Sequence, residues 1–395
     1  MEHISVRQAA DRWGISMRRV QVLCEQGRIP GAVRLSRAWM IPAHAQKPAD
    51  PRREPTRESV LMAETLPLLT VVSAPMPSGN PDAILSSTGD ARVQRHFEGA
   101  LAYLRGDFQN TMDCFRRTEG DTVARGCLGS LAIPAAAALG DYDAFMEVER
   151  HYKTLIQSGK NEVFSRLNEL CLALAAICAA APALIPEWLQ AGDFASLPPV
   201  MLPEAFQRRA KYLLHAGRAE AALAVAESAL ALCPPEQGIT FPGIYLRLSC
   251  AAACHALKQP EACKRHLLEA MRICLPHGFI SPFAESITDC GGLVEECLLQ
   301  AYPERYDAVI TLWERTIKKW IWFHNRFTME NITSLLTMKE CHIALLAAQK
   351  ISCKKIAEQL GLSVPSVRRT VQHIYAKLYV TERSELAKLV LTVKK

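Results

Sequence analysis

Long apolar runs are scarce in this 395-residue sequence. The longest, residues 170–185, contains Pro182 and is shorter than the stretch of about 20 apolar residues that spans a membrane. The first residues, MEHISVRQAADRWG, also lack the apolar segment of a secretory signal. We therefore expect a cytoplasmic protein without membrane contact, in which residues 170–185 form a buried helix.

The usual cysteine spacing of zinc and redox sites is also missing, because no Cys-x-x-Cys pair occurs among the 14 cysteines. Cys250 and Cys254 stand one helical turn apart. A metal site there is an alternative, since other possible ligands follow: His255, Cys263 and His266. The neighbouring Ala and Leu residues instead favour reduced thiols that behave as small core residues. We predict no disulfide framework, no metal and no cofactor.

Catalytic motifs are absent as well. The histidines are scattered, and none lies in a His-Glu-x-x-His pair or has a matching nucleophile. A nucleotide-binding Gly-x-x-x-x-Gly-Lys-Ser/Thr loop does not occur, and QSGKN at 157–161 matches it poorly. We therefore expect a protein that is not an enzyme and is not switched by ATP.

The sequence is rich in Ala and Leu and poor in alternating β-branched runs, which predicts a mainly α fold. Hydrophobic residues make up 49% and charged residues 22%, as in ordinary globular proteins. A length of 395 residues is too great for one compact core and predicts two or three domains.

The net charge of +6 is distributed unevenly along the chain. Residues 1–53 hold ten basic and four acidic side chains, and residues 336–395 hold eleven and four. The region between these basic ends carries a net charge of −7. Two basic ends on an acidic body indicate contact with nucleic acid at both ends, because neutralising phosphates supplies most of the non-specific affinity.

Four helices are predicted in residues 331–395. Ser352 is placed to cap the second helix and Ser363 the third, where Pro365 lies in the first turn. A buried stripe repeats along the third helix at Val367, Val371, Ile374 and Leu378. The other face can reach phosphates and base edges from the major groove. The predicted DNA-binding residues are Ser363, Ser366, Arg368, Arg369, Gln372, His373 and Lys377, with Lys354 and Lys355 of the preceding helix.

This segment resembles the LuxR-type helix-turn-helix over about 55 residues without a gap. The matching positions are Leu336, Thr337, Glu340, Ser352, Lys354, Ile356, Ala357, Leu360, Ser363, Val367, Ile374, Tyr375, Lys377, Leu378, Val380, Arg383, Glu385 and Leu386. Four residues depart from the pattern. Lys350 replaces the usual turn glycine and Tyr379 the glycine after Lys-Leu, while Lys355 replaces an acid and Thr370 a frequent histidine. The resemblance implies a DNA-binding domain that suits two-fold operators, and hence a homodimer on DNA with the helix at 385–391 as a candidate interface.

The caps and alternating residues of segment 1–50 predict a small winged helix-turn-helix. Ser5 and Gln8 have capping-box spacing, Ser16 is placed to cap a second helix, and 27–42 alternate like two strands with a turn near Ser36. The predicted DNA contacts are Arg18, Arg19 and Gln21 in the second helix and Arg34 and Arg37 in the wing. With its Gly-Ala-Val-Arg and Trp-Met-Ile-Pro strands, the segment resembles the MerR/excisionase-type DNA-binding module. A basic protein-docking domain of the same shape is the alternative.

The middle of the chain predicts a flexible linker at 51–90, rich in Pro, Ser and charge, and then helical hairpins at 91–330. Gly106 and Gly140 fall at equivalent hairpin turns 34 residues apart, which is the tetratricopeptide period. Similar turns are predicted at Gly217 and before Pro260. The region resembles the tetratricopeptide-like sensor region of MalT-type LuxR regulators, especially in LPHGFISPFAES at 275–286. An aromatic seam at 318–327 is predicted to join this array to the C-terminal domain.

These patterns together predict a bacterial transcription regulator that binds double-stranded DNA. The C-terminal module is expected to recognise the operator, the N-terminal module to add a second contact, and the array to bind a small-molecule, peptide or protein effector. RNA polymerase is a possible partner. Two alternatives stay open: an excisionase-like architectural factor and a helical-repeat adaptor whose basic ends dock acidic proteins.

Overall fold

The computed structural model describes residues 3–35, 38–48, 57–159, 161–328, 336, 338–360 and 362–391. The chain divides into two compact units, residues 1–60 and 61–395. Most of the described residues are helical, in agreement with the predicted mainly α fold.

The first unit contains two helices and a three-stranded antiparallel sheet. Its elements are β1 (His3–Ser5), α1 (Val6–Trp13), α2 (Met17–Glu25), β2 (Val33–Leu35) and β3 (Ala38–Pro42). The strand order is β1-β3-β2, with His3 opposite Pro42 and Val33 opposite Met40. The two predicted strands are present. The sequence analysis missed β1, because three residues that lead directly into a helix are too short to show an alternating pattern.

Side chains from both helices and β3 form the core of this unit: Ala9, Ala10, Trp13, Val20, Leu23, Cys24 and Ile41. The predicted capping box is present, since the Ser5 hydroxyl accepts a hydrogen bond from the Gln8 amide and the Ser5 amide donates to the Gln8 side chain. Ser16 caps α2 by accepting from the Arg19 amide. Gly14 has a left-handed φ of +63° and ends α1, so the two helices can turn against each other.

The second unit is a succession of helices. They are α3 (Arg57–Val72), α4 (Ala83–Ser86), α5 (Ala91–Leu104), α6 (Phe108–Arg116), α7 (Thr122–Leu139), α8 (Tyr142–Ser158), α9 (Glu162–Cys178), α10 (Glu187–Ala191), α11 (Leu202–His215), α12 (Ala219–Leu230), α13 (Phe241–Ala256), α14 (Pro260–Cys274), α15 (Ser281–Cys290), α16 (Leu293–Ala301) and α17 (Pro303–Thr328). At the C-terminal end follow α18 (Met338–Ala348), α19 (Cys353–Leu360), α20 (Val364–Leu378) and α21 (Arg383–Leu391).

Antiparallel hairpins organise the region from α5 to α14. Helix α5 packs on α6, α7 on α8, α11 on α12 and α13 on α14, with the turns where the sequence predicts them. Gly106 has a φ of +80°, and a Cβ there would lie 2.6 Å from a methyl group of Leu312 in α17. Glycine is therefore favoured by the backbone, and a larger residue would have to displace the Leu312 side chain of α17. We call the region from α5 to α17 the helical array.

Residues 57–90 differ from the flexible linker that the sequence predicts over 51–90. Helix α3 buries Leu68 and Val72 in the core of the second unit. Farther along, the Met76 and Ile239 backbones exchange two hydrogen bonds of 2.8 Å, and Arg105 Nη2 lies 2.5 Å from Asp82 Oδ2. Burial of the apolar patch at 60–72 removes apolar surface from water, and this favourable free energy holds the segment in place although polar residues surround it. Residues 51–56 lie outside the described residues.

The apolar run at 170–185 is largely buried, as predicted: Leu170, Ala173 and Ala175 of α9 are enclosed in the array. A different helix, Thr122–Leu139, is long and apolar enough to cross a membrane by length and composition alone. It buries 61% of its residues, including Leu128, Ala132 and Ile133, against neighbouring helices. Such burial is what a core helix of the array requires.

Cys250, Cys254 and Cys263 are buried free thiols within the array, as the reduced interpretation predicts. Across the part of the chain that the structure describes, no group of three His, Cys, Asp or Glu side chains is arranged to hold a metal ion.

Candidate DNA-binding surface

Helix α20 is fixed at both its start and its buried face. The Ser363 hydroxyl accepts a 3.3 Å hydrogen bond from the Ser366 amide, so the predicted N-cap is present. Pro365 lies in the first turn, where its missing N–H has no intrahelical partner to lose. The predicted stripe of Val367, Val371, Ile374 and Leu378 is buried. Packing of this stripe fixes the rotation of α20 and hence which side chains face solvent.

The solvent face of α20 holds the polar side chains that the sequence analysis assigned to DNA. Those that are exposed are Ser363, Ser366, Arg368, Arg369, Gln372, His373 and Lys377. The preceding helix α19 begins under a similar cap, where Ser352 accepts a 3.3 Å hydrogen bond from the Lys355 amide. Its Lys354 and Lys355 side chains are exposed too. The fold thus brings a cluster of cations and amide or imidazole groups onto two adjacent helices, α19 and α20.

Lys377 differs from the other candidates. Its ammonium group lies 2.7 Å from both carboxylate oxygens of Glu340 in α18, so its charge is already compensated within the domain. A paired ammonium releases fewer phosphate counterions than a free one. The structure therefore separates Lys377 from Arg368 and Arg369, which pair with none of the described residues.

Two departures from the LuxR pattern lie at left-handed backbone positions. Lys350, in the turn between α18 and α19, has a φ of +62°, and Tyr379, directly after α20, has a φ of +53°. Glycine adopts this conformation without steric cost, whereas other residues are strained in it. Both positions thus keep the left-handed backbone that glycine favours, although the residue there is a lysine or a tyrosine.

Tyr379 also connects this domain to the helical array. Its ring lies 4.0 Å, centroid to centroid, from the ring of Trp313 in α17, in an edge-to-face arrangement. Next to this contact is a cavity of about 600 Å³, lined from the array by Trp313, Trp320 and Asp289 and from α20 by Ala376 and Lys377. Burial raises the pKa of Tyr379 to about 12, so its hydroxyl stays protonated. The end of α20 is therefore in contact with the array, while its N-terminal half faces solvent.

The last helix, α21, is attached by polar contacts. Arg383 Nη1 donates a 3.1 Å hydrogen bond to the carbonyl of Ile351, and the Thr381 amide donates a 2.8 Å bond to Glu385 Oε2. Leu386 is fully buried in the domain core. The Arg383 bond joins α21 to the turn that precedes α19, the Thr381 bond caps the start of α21, and the helix packs on α18.

In the first unit, Arg18, Gln21 and Arg34 are exposed, as a surface for a polyanion requires. Arg19 is only partly exposed. The Arg34 guanidinium lies 6.0 Å from the centre of the Trp39 ring on the adjacent strand β3. Arg37 and the turn at Ser36 lie outside the described residues.

Residues 334–390 match the family described as bacterial regulatory proteins, luxR family. The predicted LuxR-type helix-turn-helix is confirmed, and the match supports a DNA-binding transcriptional regulator. The match does not extend to residues 1–50 or to the helical array, so the resemblances predicted there stay predictions. No curated protein and no solved structure matches the chain.

Proposed function

We propose that the chain is a bacterial, cytoplasmic transcription regulator that recognises its operator through α20. The observation that supports this most directly is the set of exposed cationic and polar side chains on one face of a helix within the luxR-family segment. Arg368 and Arg369 supply phosphate or guanine contacts, and Gln372 and His373 supply further base-edge contacts. Lys354 and Lys355 on α19 add phosphate contacts that set the register on DNA.

The first unit supplies a second, weaker DNA contact as a MerR/excisionase-like winged module. Its two-helix and sheet arrangement and the exposure of Arg18, Gln21 and Arg34 support this role. Binding DNA at both ends of one chain raises the effective concentration of each module near the other's site. A protein-docking role for the same basic surface is the alternative.

The helical array serves as the sensing region, as tetratricopeptide-like hairpins do when they present a concave surface. A path to DNA binding is available through the Trp313–Tyr379 contact, because Tyr379 directly follows α20. We further propose a homodimer on a two-fold operator, with α21 at the interface, and RNA polymerase as a possible partner.

The salt dependence of DNA binding tests the role of α20. We expect Arg368→Ala and Arg369→Ala each to weaken binding to a labelled duplex and to lower the salt slope by about 0.9 per lost phosphate contact. Arg272→Ala is a matched control, since Arg272 is an exposed arginine of the array. Fluorescence anisotropy at several salt concentrations measures both quantities. An unchanged slope in both α20 variants would remove α20 from the DNA interface.

Mapping of occupied genomic sites separates the proposed regulator from the two alternatives. A regulator occupies promoter regions and changes transcription there. An excisionase-like factor occupies attachment-like sites without a promoter response, and an adaptor occupies none. Repeating the experiment without residues 1–50 measures what the first unit adds.

A further inference from the structure

A half-open cavity of about 420 Å³ lies in the second unit, bordered mainly by α3, α5, α7, α9, α11 and α13. Most of its lining is apolar, with contributions from Leu69, Phe97, Leu131, Met201 and Phe241. A volume of this size accommodates a small organic molecule, and apolar walls with a few polar groups are typical of such sites.

Arg208 of α11 is the polar side chain that this enclosure leaves least satisfied. It lines the cavity, yet the residue is only 1% exposed. Its Nη2 lies 2.6 Å from Glu204 Oε2. Its Nε and Nη1 are buried and have no hydrogen-bond partner among the described residues. Buried guanidinium donors without an acceptor are unfavourable, so Arg208 is the side chain of this lining with most to gain from an acceptor in the cavity.

The other charged groups of the cavity have partners too, and among the described residues none of them leaves a buried polar atom without a hydrogen bond. Lys211 Nζ lies 2.5 Å from Asp289 Oδ2, so its charge is compensated. Glu285, from the predicted 275–286 segment, accepts hydrogen bonds from the hydroxyl groups of Tyr103 at 2.8 Å and Tyr245 at 3.1 Å. Desolvation raises the pKa of Glu285 to about 7, although its side chain is accessible within the cavity. Part of the Glu285 population is therefore neutral near pH 7 and repels an incoming anion less.

His96 lies on the same wall with a buried Nδ1 that has no partner among the described residues. Burial lowers the pKa of His96 to about 4, so the ring is neutral near pH 7. A neutral imidazole can donate or accept one hydrogen bond at Nδ1. It therefore adds a polar contact without adding charge.

We infer that this cavity binds a small monocarboxylate with an apolar body, whose carboxylate is held by Arg208. The inference rests on the proposed sensing role of the array and names the chemical class of its effector. A carboxylate oxygen can accept a charge-assisted hydrogen bond from one of the free guanidinium donors, and such a bond is stronger than one to a neutral oxygen. The apolar body fills the space between Leu69, Phe97 and Phe241.

A phosphate group suits the cavity less well. Both cations of the described lining are already paired, Arg208 with Glu204 and Lys211 with Asp289, so a dianion would add two negative charges that no unpaired cation offsets. Glu204 is also in the lining and adds negative charge. A single negative charge that is hydrogen-bonded by the unused Arg208 donors therefore suits the cavity better than two charges do.

The cavity continues towards the DNA-binding domain. Tyr103, Lys211 and Glu285 line both this cavity and the cavity of about 600 Å³ that reaches Tyr379. A ligand beside Arg208 would therefore lie close to Tyr103, Lys211 and Glu285, and these three residues also line the cavity next to α20. Occupation of the first cavity can change the second through these three shared side chains.

Calorimetric titration of the wild-type full chain tests the ligand class without any substitution. The probes are 3-phenylpropionate, octanoate, the neutral 3-phenylpropan-1-ol and 3-phenylpropyl phosphate. We expect at least one acid to bind about tenfold more tightly than the alcohol, a factor that corresponds to one charge-assisted contact. Equal binding of acid and alcohol, tighter binding of the phosphate, or no binding of either acid at about 10 mM would overturn the inference.

Substitution locates the site. Arg208→Gln should abolish the preference for the acid over the alcohol, whereas Arg272→Gln on the array surface should keep it. Because Arg208→Gln leaves Glu204 unpaired, the double variant Arg208→Gln/Glu204→Gln is tested as well, and circular dichroism checks that each variant folds. A preference that survives in a folded variant excludes Arg208 as the carboxylate-binding residue. If neither variant folds, the comparison of acid and alcohol on the wild type decides.

DNA binding is measured separately by anisotropy on the wild-type chain without any probe. Absence of DNA binding would contradict the proposed regulator. DNA binding without carboxylate binding would contradict only the ligand class.

Discussion

The ring of Tyr379, one residue past α20, packs edge-to-face on Trp313 of α17 with a centroid distance of 4.0 Å. Tyr379 stands where the LuxR pattern has a glycine, and its φ of +53° is one that glycine favours. The backbone strain is thus retained together with an aromatic contact between the DNA-binding domain and the helical array. Lys350 has a similar strain, and no aromatic contact with a described residue offsets it.

Comparison of two glycine substitutions separates the strain from the contact. Lys350→Gly should stabilise the C-terminal domain by about 1 kcal/mol, because only the left-handed strain is removed. Tyr379→Gly should give no net gain, since it also loses an aromatic contact of about 0.5–1.5 kcal/mol and its buried area. Hydrogen exchange of α20 amides measures the local stability, which suits a chain of several domains better than one unfolding transition. Equal stabilisation by both variants would show that the Trp313 contact contributes nothing.

Lys377 should contribute little to DNA affinity despite its place on α20. Because Glu340 already compensates its charge at 2.7 Å, Lys377→Ala should change the salt slope of DNA binding by much less than about 0.9, the value for one phosphate contact. Arg369→Ala is the matched comparison on the same helix. The prediction is wrong if the two variants lower the salt slope equally.

Helix α3 should contribute to the stability of the second unit. Leu68 is 7% exposed, so Leu68→Ala should lower the free energy of unfolding by about 2–3 kcal/mol through lost burial and a cavity. Val71 is 46% exposed on the same helix, and Val71→Ala should have an effect below about 0.5 kcal/mol. Hydrogen exchange of the α3 and α5 amides, which reports local stability in a chain of several domains, measures both. Equal effects would mean that residues 57–72 behave as the flexible linker that the sequence predicts.

Glu285 should make the stability of the array depend on pH. Its pKa is raised from an ordinary value of 4.5 to about 7, mainly by burial, against the opposing effects of Tyr103, Tyr245 and Lys211. The folded chain therefore binds this proton more tightly than the unfolded chain does. The stabilisation is complete below about pH 4.5 and is lost as pH rises through about 7.

The matching experiment compares Glu285→Gln with the wild type. The variant keeps an acceptor for Tyr103 and Tyr245 and removes the titration, so its stability should fall less between about pH 5 and pH 7. Glu220→Gln, at an exposed position of α12, is the control and should keep the wild-type pH profile. If Glu285→Gln shows the same dependence of stability on pH as the wild type, the raised pKa of Glu285 is contradicted.

The C-terminal domain could be predicted almost completely because its signals are local. A serine cap, a proline in the first turn and a stripe at helical spacing define α20 within 16 residues, Ser363–Leu378. The hairpin turns of the array were predictable for a similar reason, since Gly106 and Gly140 lie at left-handed positions between adjacent helices. Strand β1 and helix α3 could not be predicted, because β1 forms by pairing with β3 and α3 by packing on the core of the second unit, and both partners are far away in the sequence.

The sequence by itself determined which helices form, which faces are buried and which short segment resembles a DNA-binding domain, since these follow from periodicity and capping. Only the tertiary structure decided which charges remain free. It paired Lys377 with Glu340 and Lys211 with Asp289, and it left Arg208 with unused donors beside a cavity. The reason is physical: the free energy of a charge depends on its burial and on partners brought near by folding, and neither is visible in the order of residues along the chain.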